Sequence, residues 1–304
     1  MAVINQRSEL VFLYDIKDAN PNGDPLDANK PRIDEETGIN LVTDVRLKRT
    51  IRDYLFDYKG FNGEDGKDIF VREIKNDDKS IQDGKERAKD FKEDPKKVLD
   101  QCIDVRLFGG VIPLTGDSIT YTGPVQFQMG RSLHKVELNY IKGTGAFASG
   151  SGKSKKTFRE EYVVPYSLVG FYGIINENAA QSTELTQDDV ELLMEGIWKG
   201  TKNLITRSKV GQTPRMLLKV NYSEENYFIG ELKNYIKLAT DLREEEIRDV
   251  SDYKLDVSAL LSVIEANSEK IDSVEFKVNP RVEIIRDSNN INLNDLDLFK
   301  ELDI

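Results

Sequence analysis

LVFLY (Leu10–Tyr14), NPNGDPLDANKPRIDEETG (Asn20–Gly38) and VTDVRLKRTIRDYLFDY (Val42–Tyr58) follow one another early in this 304-residue chain. The first piece has the length and the branched and aromatic content of a buried strand. The second is a loop dense in Asn, Pro, Gly and Asp, with a turn signal at Asn22-Gly23. The third has helical periodicity: Leu47, Ile51, Tyr54, Leu55 and Tyr58 share one face, and Arg46, Lys48, Arg49 and Arg52 the opposite arc. Thr43 or Asp44 can cap its first turn. A strand, a polar loop and the start of a basic helix suit an anion, because the helix N-terminus offers free N–H donors and positive partial charge. A basic helix face is also commonly just a solvated one, and residue types alone leave both readings open. Asn20, Asn22 and Asp24 imitate the first ligands of a calcium loop, but Pro25 and Pro31 stand where that loop needs Gly and a bidentate Glu. Calcium is rejected.

Composition narrows the function classes. The chain is long enough for one elaborated domain or two. It has no apolar run of membrane-spanning length and no signal-peptide pattern. One cysteine, Cys102, excludes an internal disulfide and fits a reducing, cytoplasmic setting. One histidine, His134, excludes multi-histidine metal sites. No cofactor is expected. The formal net charge is −11, but its distribution matters more. Asp241 to Ile304 holds 17 acids and 8 bases, whereas Lys142–Arg159 holds five bases and Ile205–Asn221 four, neither with an acid. Fields fall off within roughly 8–10 Å at physiological salt, so an acidic protein with basic stripes can still bind a polyanion.

Further along, Lys59–Asp104 is charged and poor in apolar residues, with short helices broken at Pro95. It reads as an insertion, either a flexible excursion or a functional arm. Thr120–Met129 alternates like one strand, with Gln126 and Gln128 on one face and Val125, Phe127, Met129 and Arg131 on the other. KGTGAFASGSGKSKK (Lys142–Lys156) imitates a P-loop at GSGKS, but Phe147 stands where the motif needs Gly, and strand-like sequence follows it. A basic hairpin tip describes it better. Tyr162–Ile175 reads as a central strand. Thr186 caps a helix whose stripe is Val190, Leu193, Met194, Ile197, Trp198, Leu204 and Ile205, with Trp198 taken as core. Arg215–Tyr222 is another strand. The resulting order, β-α-β-β-α-β, is ferredoxin-like. The last part adds a helix (Val257–Asn267), strands (Val274–Val278, Val282–Ile285) and an acidic tail.

NPNGDP, PRID, TG and VTDVRLKRTIRDY resemble the backbone subunit of type I CRISPR Cascade complexes, with the type I-B and I-C branch of the CRISPR RAMP superfamily as the best match. DVRLFGG (Asp104–Gly110), GPVQFQMGRS, TFREEYVVPYSL and TRSKVGQTPRMLLKVNY look like further family motifs, so the resemblance runs from about Val11 to Tyr222. It implies an α+β fold: an RRM-like, ferredoxin-like palm (1–58, 111–131 and 162–230), a helical charged insertion as fingers (59–110) and a β-hairpin as thumb (132–161). Residues 231–304 would pack on the palm as an acidic extension. It also implies a non-catalytic scaffold whose copies stack along one CRISPR RNA, with the thumb displacing a base at intervals. Partners would be the CRISPR RNA, the target DNA strand paired to it, copies of the same chain and other Cascade subunits.

Given that implication, the donors of the basic segments are the expected RNA contacts. Arg46, Lys48, Arg49 and Arg52 would hold phosphates from the helix, and Asn20, Asn22 and Arg32 would reach backbone or sugar. Gln126, Gln128 and Arg131 would face the RNA, although one strand face cannot present all three. Lys153, Lys155, Lys156, Phe158 and Arg159 would form the thumb contact, and Arg207, Lys209, Gln212 and Arg215 a second stripe. Arg106 would touch target DNA or a neighbouring subunit. The alternative is a RAMP endoribonuclease that processes CRISPR RNA. His134 is its only imidazole candidate, and no Gly-rich loop follows Gly230. Metal-dependent cleavage occurs in the related type III branch, and sequence alone leaves an isolated Asp24 or Asp44 open.

Overall fold

The apolar run at Leu10 becomes the centre of a sheet covered on both faces. The computed structural model describes residues 2–148 and 156–304, and side chains outside 144–148 and 156–159. β1 (Ser8–Ala19) leads through the Asn/Pro/Gly loop to β2 (Ile39–Val42) and helix α1 (Asp44–Lys59). The insertion holds α2 (Gly84–Asp90), α3 (Pro95–Gln101), α4 (Ile103–Phe108) and a hairpin, β3 (Gly109–Leu114) with β4 (Asp117–Thr122). β5 (Val125–Phe127) and β6 (Gly130–Lys135) rejoin the main sheet. β7 (Asn139–Ala148) pairs with the first part of the 20-residue β8 (Lys156–Ile175). Then come α5 (Glu177–Thr183), α6 (Gln187–Glu195) with a π-helical turn (Gly196–Gly200), and β9 (Thr213–Tyr222). α7 (Ser258–Ala266), β10 (Ile271–Val278) and β11 (Phe299–Glu301) follow.

The main path of the ten-stranded sheet runs β11-β10-β9-β1-β8-β6-β2, ending on the short Ile33–Asp34 strand. β1 lies antiparallel to β8 (Phe12 opposite Phe171) and to β9 (Phe12 opposite Leu217). β5 and β6 both pair antiparallel with β8. Side-chain alternation splits β1 between two cores. Leu10, Phe12 and Tyr14 meet α1 (Leu47, Ile51, Leu55), α6 (Val190, Leu193, Met194) and Ile197 of the π-helical turn. Val11 and Leu13 meet the C-terminal region through Leu232, Ile236, Tyr253, Leu260, Leu261 and Ile264. Full burial contributes roughly 1.5–3 kcal/mol per large apolar side chain, so the double covering is a major source of stability.

Several expectations change. Thr120–Met129 is not one strand: Thr122 ends a hairpin of the insertion, and the chain is interrupted again after Phe127. The charged insertion is no loose excursion, because Phe70, Ala88, Phe91, Val98, Leu99, Cys102, Val105 and Ile112 form a core of its own. Tyr58 is exposed at the end of α1, and Ile205 lies beyond the helix and is 71% exposed. The C-terminal third does more than pack on the sheet. β10 extends it by pairing with β9, Leu218 opposite Phe276.

Gly130 lies against the Phe171 ring, where an added Cβ would come within 2.6 Å of Cζ. Gly130→Ala is expected to destabilise the fold by about 1–3 kcal/mol through overpacking. Gly110 has nothing within 4 Å of the same position, so Gly110→Ala should change stability by less than about 0.5 kcal/mol. Urea unfolding of both variants checks the contrast.

Candidate nucleic-acid interface

Three segments are sewn together where the polar loop meets the start of α1. Asn22 Oδ1 accepts both the backbone N–H (2.8 Å) and the hydroxyl (2.9 Å) of Thr43. Thr43 in turn caps α1 by accepting from the Arg46 N–H. Asp24 accepts from Arg32 Nη1 at 2.9 Å and from the Leu26 N–H. The Asn20 backbone N–H donates to the Ser208 carbonyl, and Lys209 Nζ donates to the Asn20 carbonyl at 3.1 Å. Loop, helix start and the 206–210 turn are therefore one rigid corner.

Two cations in this corner have no carboxylate within ion-pair distance among the described residues. Arg46 donates from Nη2 to Thr50 Oγ1 at 3.0 Å, while its Nε is buried without a partner. Lys209 is half-buried with only the Asn20 carbonyl. Burial pushes both below their ordinary pKa values, and the nearby Arg46 charge lowers Lys209 further. Asn20 Oδ1 and Arg32 Nε are also buried and unpartnered. Uncompensated, partly buried cations are costly, and an incoming anion offsets that cost. A phosphate supplies several acceptor oxygens as well as charge. Thr50, which holds the Arg46 guanidinium, was missed from sequence; its signal is the i+4 spacing on the helix.

Other expected contacts are spent inside the fold. Arg52 Nε donates to Asp104 at 2.8 Å, and the fully buried Asp104 also accepts the N–H groups of Phe70 and Val71. Arg106 forks onto Asp189, which completes the Thr186 capping box of α6, at 2.8 and 2.7 Å, and donates to the Leu99 carbonyl. Arg215 is buried and donates to Asp15 at 2.7 Å, beside the Tyr166 and Tyr253 hydroxyls. Burial raises the Asp15 pKa, against the opposing pull of Arg215. Gln212 is buried. Arg215 and Gln212 are buried, and the half-buried Arg52 and Arg106 have carboxylate partners within the chain.

Of the remainder, Lys48 is buried, and the other described ones are exposed or half-buried. Lys48 lies under Phe108, paired with Asp44 at 3.0 Å and donating to Gln126 Oε1 at 3.2 Å. Gln126 donates to the Gly123 carbonyl, and Gln128 is exposed. Exposed Arg49 pairs with Asp53 at 2.5 Å, Arg131 with Asp34 at 2.7 Å and Arg207 with Glu161 at 2.8 Å. Lys153 and Lys155, with the GSGKS run, lie outside the described residues. Lys156, Phe158 and Arg159 are on β8 where it pairs only with β7, described as backbone alone.

The imidazole on which a nuclease would depend is internal. His134 Nδ1 faces the carbonyls of Lys135 (2.8 Å) and Glu244 (3.2 Å), and Nε2 accepts the Leu168 N–H at 3.2 Å. Those partners require the neutral ring protonated on Nδ1. Burial lowers its pKa. Asp24 and Asp44 are both engaged in ion pairs, and no cluster of three metal-ligating side chains occurs among the described residues.

The family described as CRISPR-associated protein Cas7 matches residues 6–258. The chain belongs to the Cas7 family. A Cas7 protein from Haloferax volcanii is 35% identical over 314 residues, covering 93% of this chain and 90% of the relative. Two solved chains share the fold of this Cas7 chain. One is from a CRISPR RNA-guided surveillance complex in its pre-nicking state (TM-score 0.58, 10% identity, 98% of this chain and 96% of that one). The other is from a CRISPR RNA-guided surveillance complex (TM-score 0.55, 12% identity, 98% and 95%). No described helix of the Cas7 chain is long and apolar enough to cross a membrane.

Two predictions concern the internal groups. Arg106→Ala leaves Asp189 without its cation and should cost about 3–5 kcal/mol in chemical unfolding; unchanged stability would remove Arg106 from the framework. Because the folded protein disfavours the protonated His134 ring, the unfolded chain takes up that proton first. The stability from neutral His134 is complete above about pH 6.5 and is lost as pH falls from there toward its depressed folded-state pKa. The stability difference between wild type and His134→Gln should therefore shrink between about pH 7.5 and about pH 5. A constant difference would contradict a buried neutral imidazole.

Proposed function

We propose that this chain is the RNA-binding backbone subunit of a type I CRISPR surveillance complex, polymerising along the guide and supporting target-strand recognition without cutting. The observation that carries this is the corner formed by Arg46 and Lys209, two half-buried cations without a carboxylate partner, held rigidly by the Asn20–Thr43 loop and the start of α1. Contacts made there would go to phosphate and sugar and would be indifferent to base sequence. A scaffold for arbitrary guides needs that indifference, since base pairing reads the target.

In this proposal β9-β1-β8-β5, with α1 and α6 on one face, is an RRM-like palm, and its all-antiparallel strand order supports the assignment. The insertion from Lys59 through α4, with its own core, acts as fingers. The hairpin of β7 and the first part of β8 acts as the thumb. One departure from RRM practice follows from the double covering. Ordinary RRM domains stack bases on the open face of the sheet, whereas here that face is occupied by the C-terminal region. The RNA would instead lie at the rim, where loops and helix start meet. CRISPR RNA, the paired DNA strand, further copies of the chain and other complex subunits are the proposed partners. The nuclease alternative gains no support from the buried His134.

Arg46→Ala and Lys209→Ala should each weaken RNA binding and reduce the slope of log affinity against log salt by about 0.7 for each phosphate no longer neutralised. Arg49→Ala, in an exposed pair, should have a smaller effect. Fluorescence anisotropy with labelled RNA across a salt series measures this. Wild-type slopes in both corner variants would show that the corner is not at the RNA.

A further inference from the structure

Lys233 belongs to the short 3-10 turn Leu232–Tyr235 that follows β9. Its stem crosses β8 at Gly170. A Cβ added at Gly170 would come 2.9 Å from Lys233 Cδ, 2.8 Å from Leu133 Cδ1 and 2.9 Å from Leu13 Cδ2. Any larger residue would occupy the lysine's path, so the glycine makes room for it. Arg131 stands directly opposite Gly170 in the β6–β8 register. Facing positions in antiparallel strands are about 4.5–5.5 Å apart at Cβ, so the register brings both cations to one place.

Lys233 is half-buried, and its side chain has no hydrogen-bond or ion-pair partner among the described residues. Burial lowers its pKa, Arg131 lowers it further, and Glu231 opposes both. Arg131 spends Nη2 on Asp34, leaving its other donors for a ligand. A half-buried ammonium without a counter-ion is costly unless something outside the chain neutralises it.

We propose that Lys233 and Arg131 form a second anion seat, for a phosphodiester of the nucleic acid the complex carries. It rests on the RNA-binding function proposed above and brings the C-terminal region into that function. The seat belongs to the Leu13 side of the sheet, whereas Arg46 extends from α1 on the Leu10 side. The phosphodiester has two possible sources, the guide RNA or a DNA strand paired with it.

Lys233→Met keeps the stem over Gly170 and removes the charge, and a thermal melt matching wild type checks the fold. Two salt series separate the sources: the chain with labelled oligouridylate, and the assembled chain–guide RNA complex with complementary single-stranded DNA. A seat for the guide reduces the slope by about 0.7 in the first series. A seat for the paired strand leaves the first unchanged and reduces the second. Wild-type slopes in both series overturn the proposal. If Arg46→Ala flattens the RNA series while Lys233→Met changes neither, only the second seat falls. If wild type binds no RNA at all, the function proposed above falls with it.

Discussion

Burial of β1 on both faces is the constraint from which the rest of this molecule follows. A strand with Leu10, Phe12 and Tyr14 on one side and Val11 and Leu13 on the other cannot stand at a surface. It needs helices α1 and α6 on one face and the whole C-terminal region on the other. The polar groups of the strand obey the same rule. Glu9, fully buried, accepts the Tyr172 and Tyr222 hydroxyls and the N–H groups of Ile229 and Gly230. Asp15, toward the other end, takes Arg215 and Tyr166. Each buried carboxylate has enough donors to offset its desolvation and thereby ties β1 to its neighbours on the second face.

Charge is arranged by the same logic, which is why the net value of −11 says little about partners. Most arginines are consumed by carboxylates within the chain: Arg7 by Glu177, Arg52 by Asp104, Arg87 by Asp68, Arg106 by Asp189 and Arg215 by Asp15. They hold elements together. Arg46, Lys209 and Lys233, half-buried and without a carboxylate partner among the described residues, stand out against that background of internal pairing. For a polyanion, position and compensation of a few charges matter more than their total.

The parts that were legible in the sequence are those governed by local rules. β1 and the α1 face carry their period in the residues themselves, and Thr186 with Asp189 makes a capping box within four residues. The Thr43 cap could be read as well, and Arg46 and Lys209 could be named as basic. What could not be read is which cations are already taken. The partners of Arg52, Arg106 and Arg215 lie 52, 83 and 200 residues away in the chain. A cation facing Asp104 or Asp15 looks in sequence like one facing solvent, and only the fold separates them. Of the C-terminal strands, Val274–Val278 could be read and lies within β10; its register could not, because that is set by pairing with β9 far from it in the chain.

β8 belongs to two structures at once. Val164–Ile175 is clamped beside β1, and the residues before it pair only with β7. The hairpin is therefore a cantilever cut from the same beam as the core, with no hinge element between arm and anchorage. Tension along the arm would be met by the row of β1–β8 hydrogen bonds acting together in shear, rather than parting one at a time as in a peeled strand. An arm built this way gives up freedom to swing in exchange for stiffness.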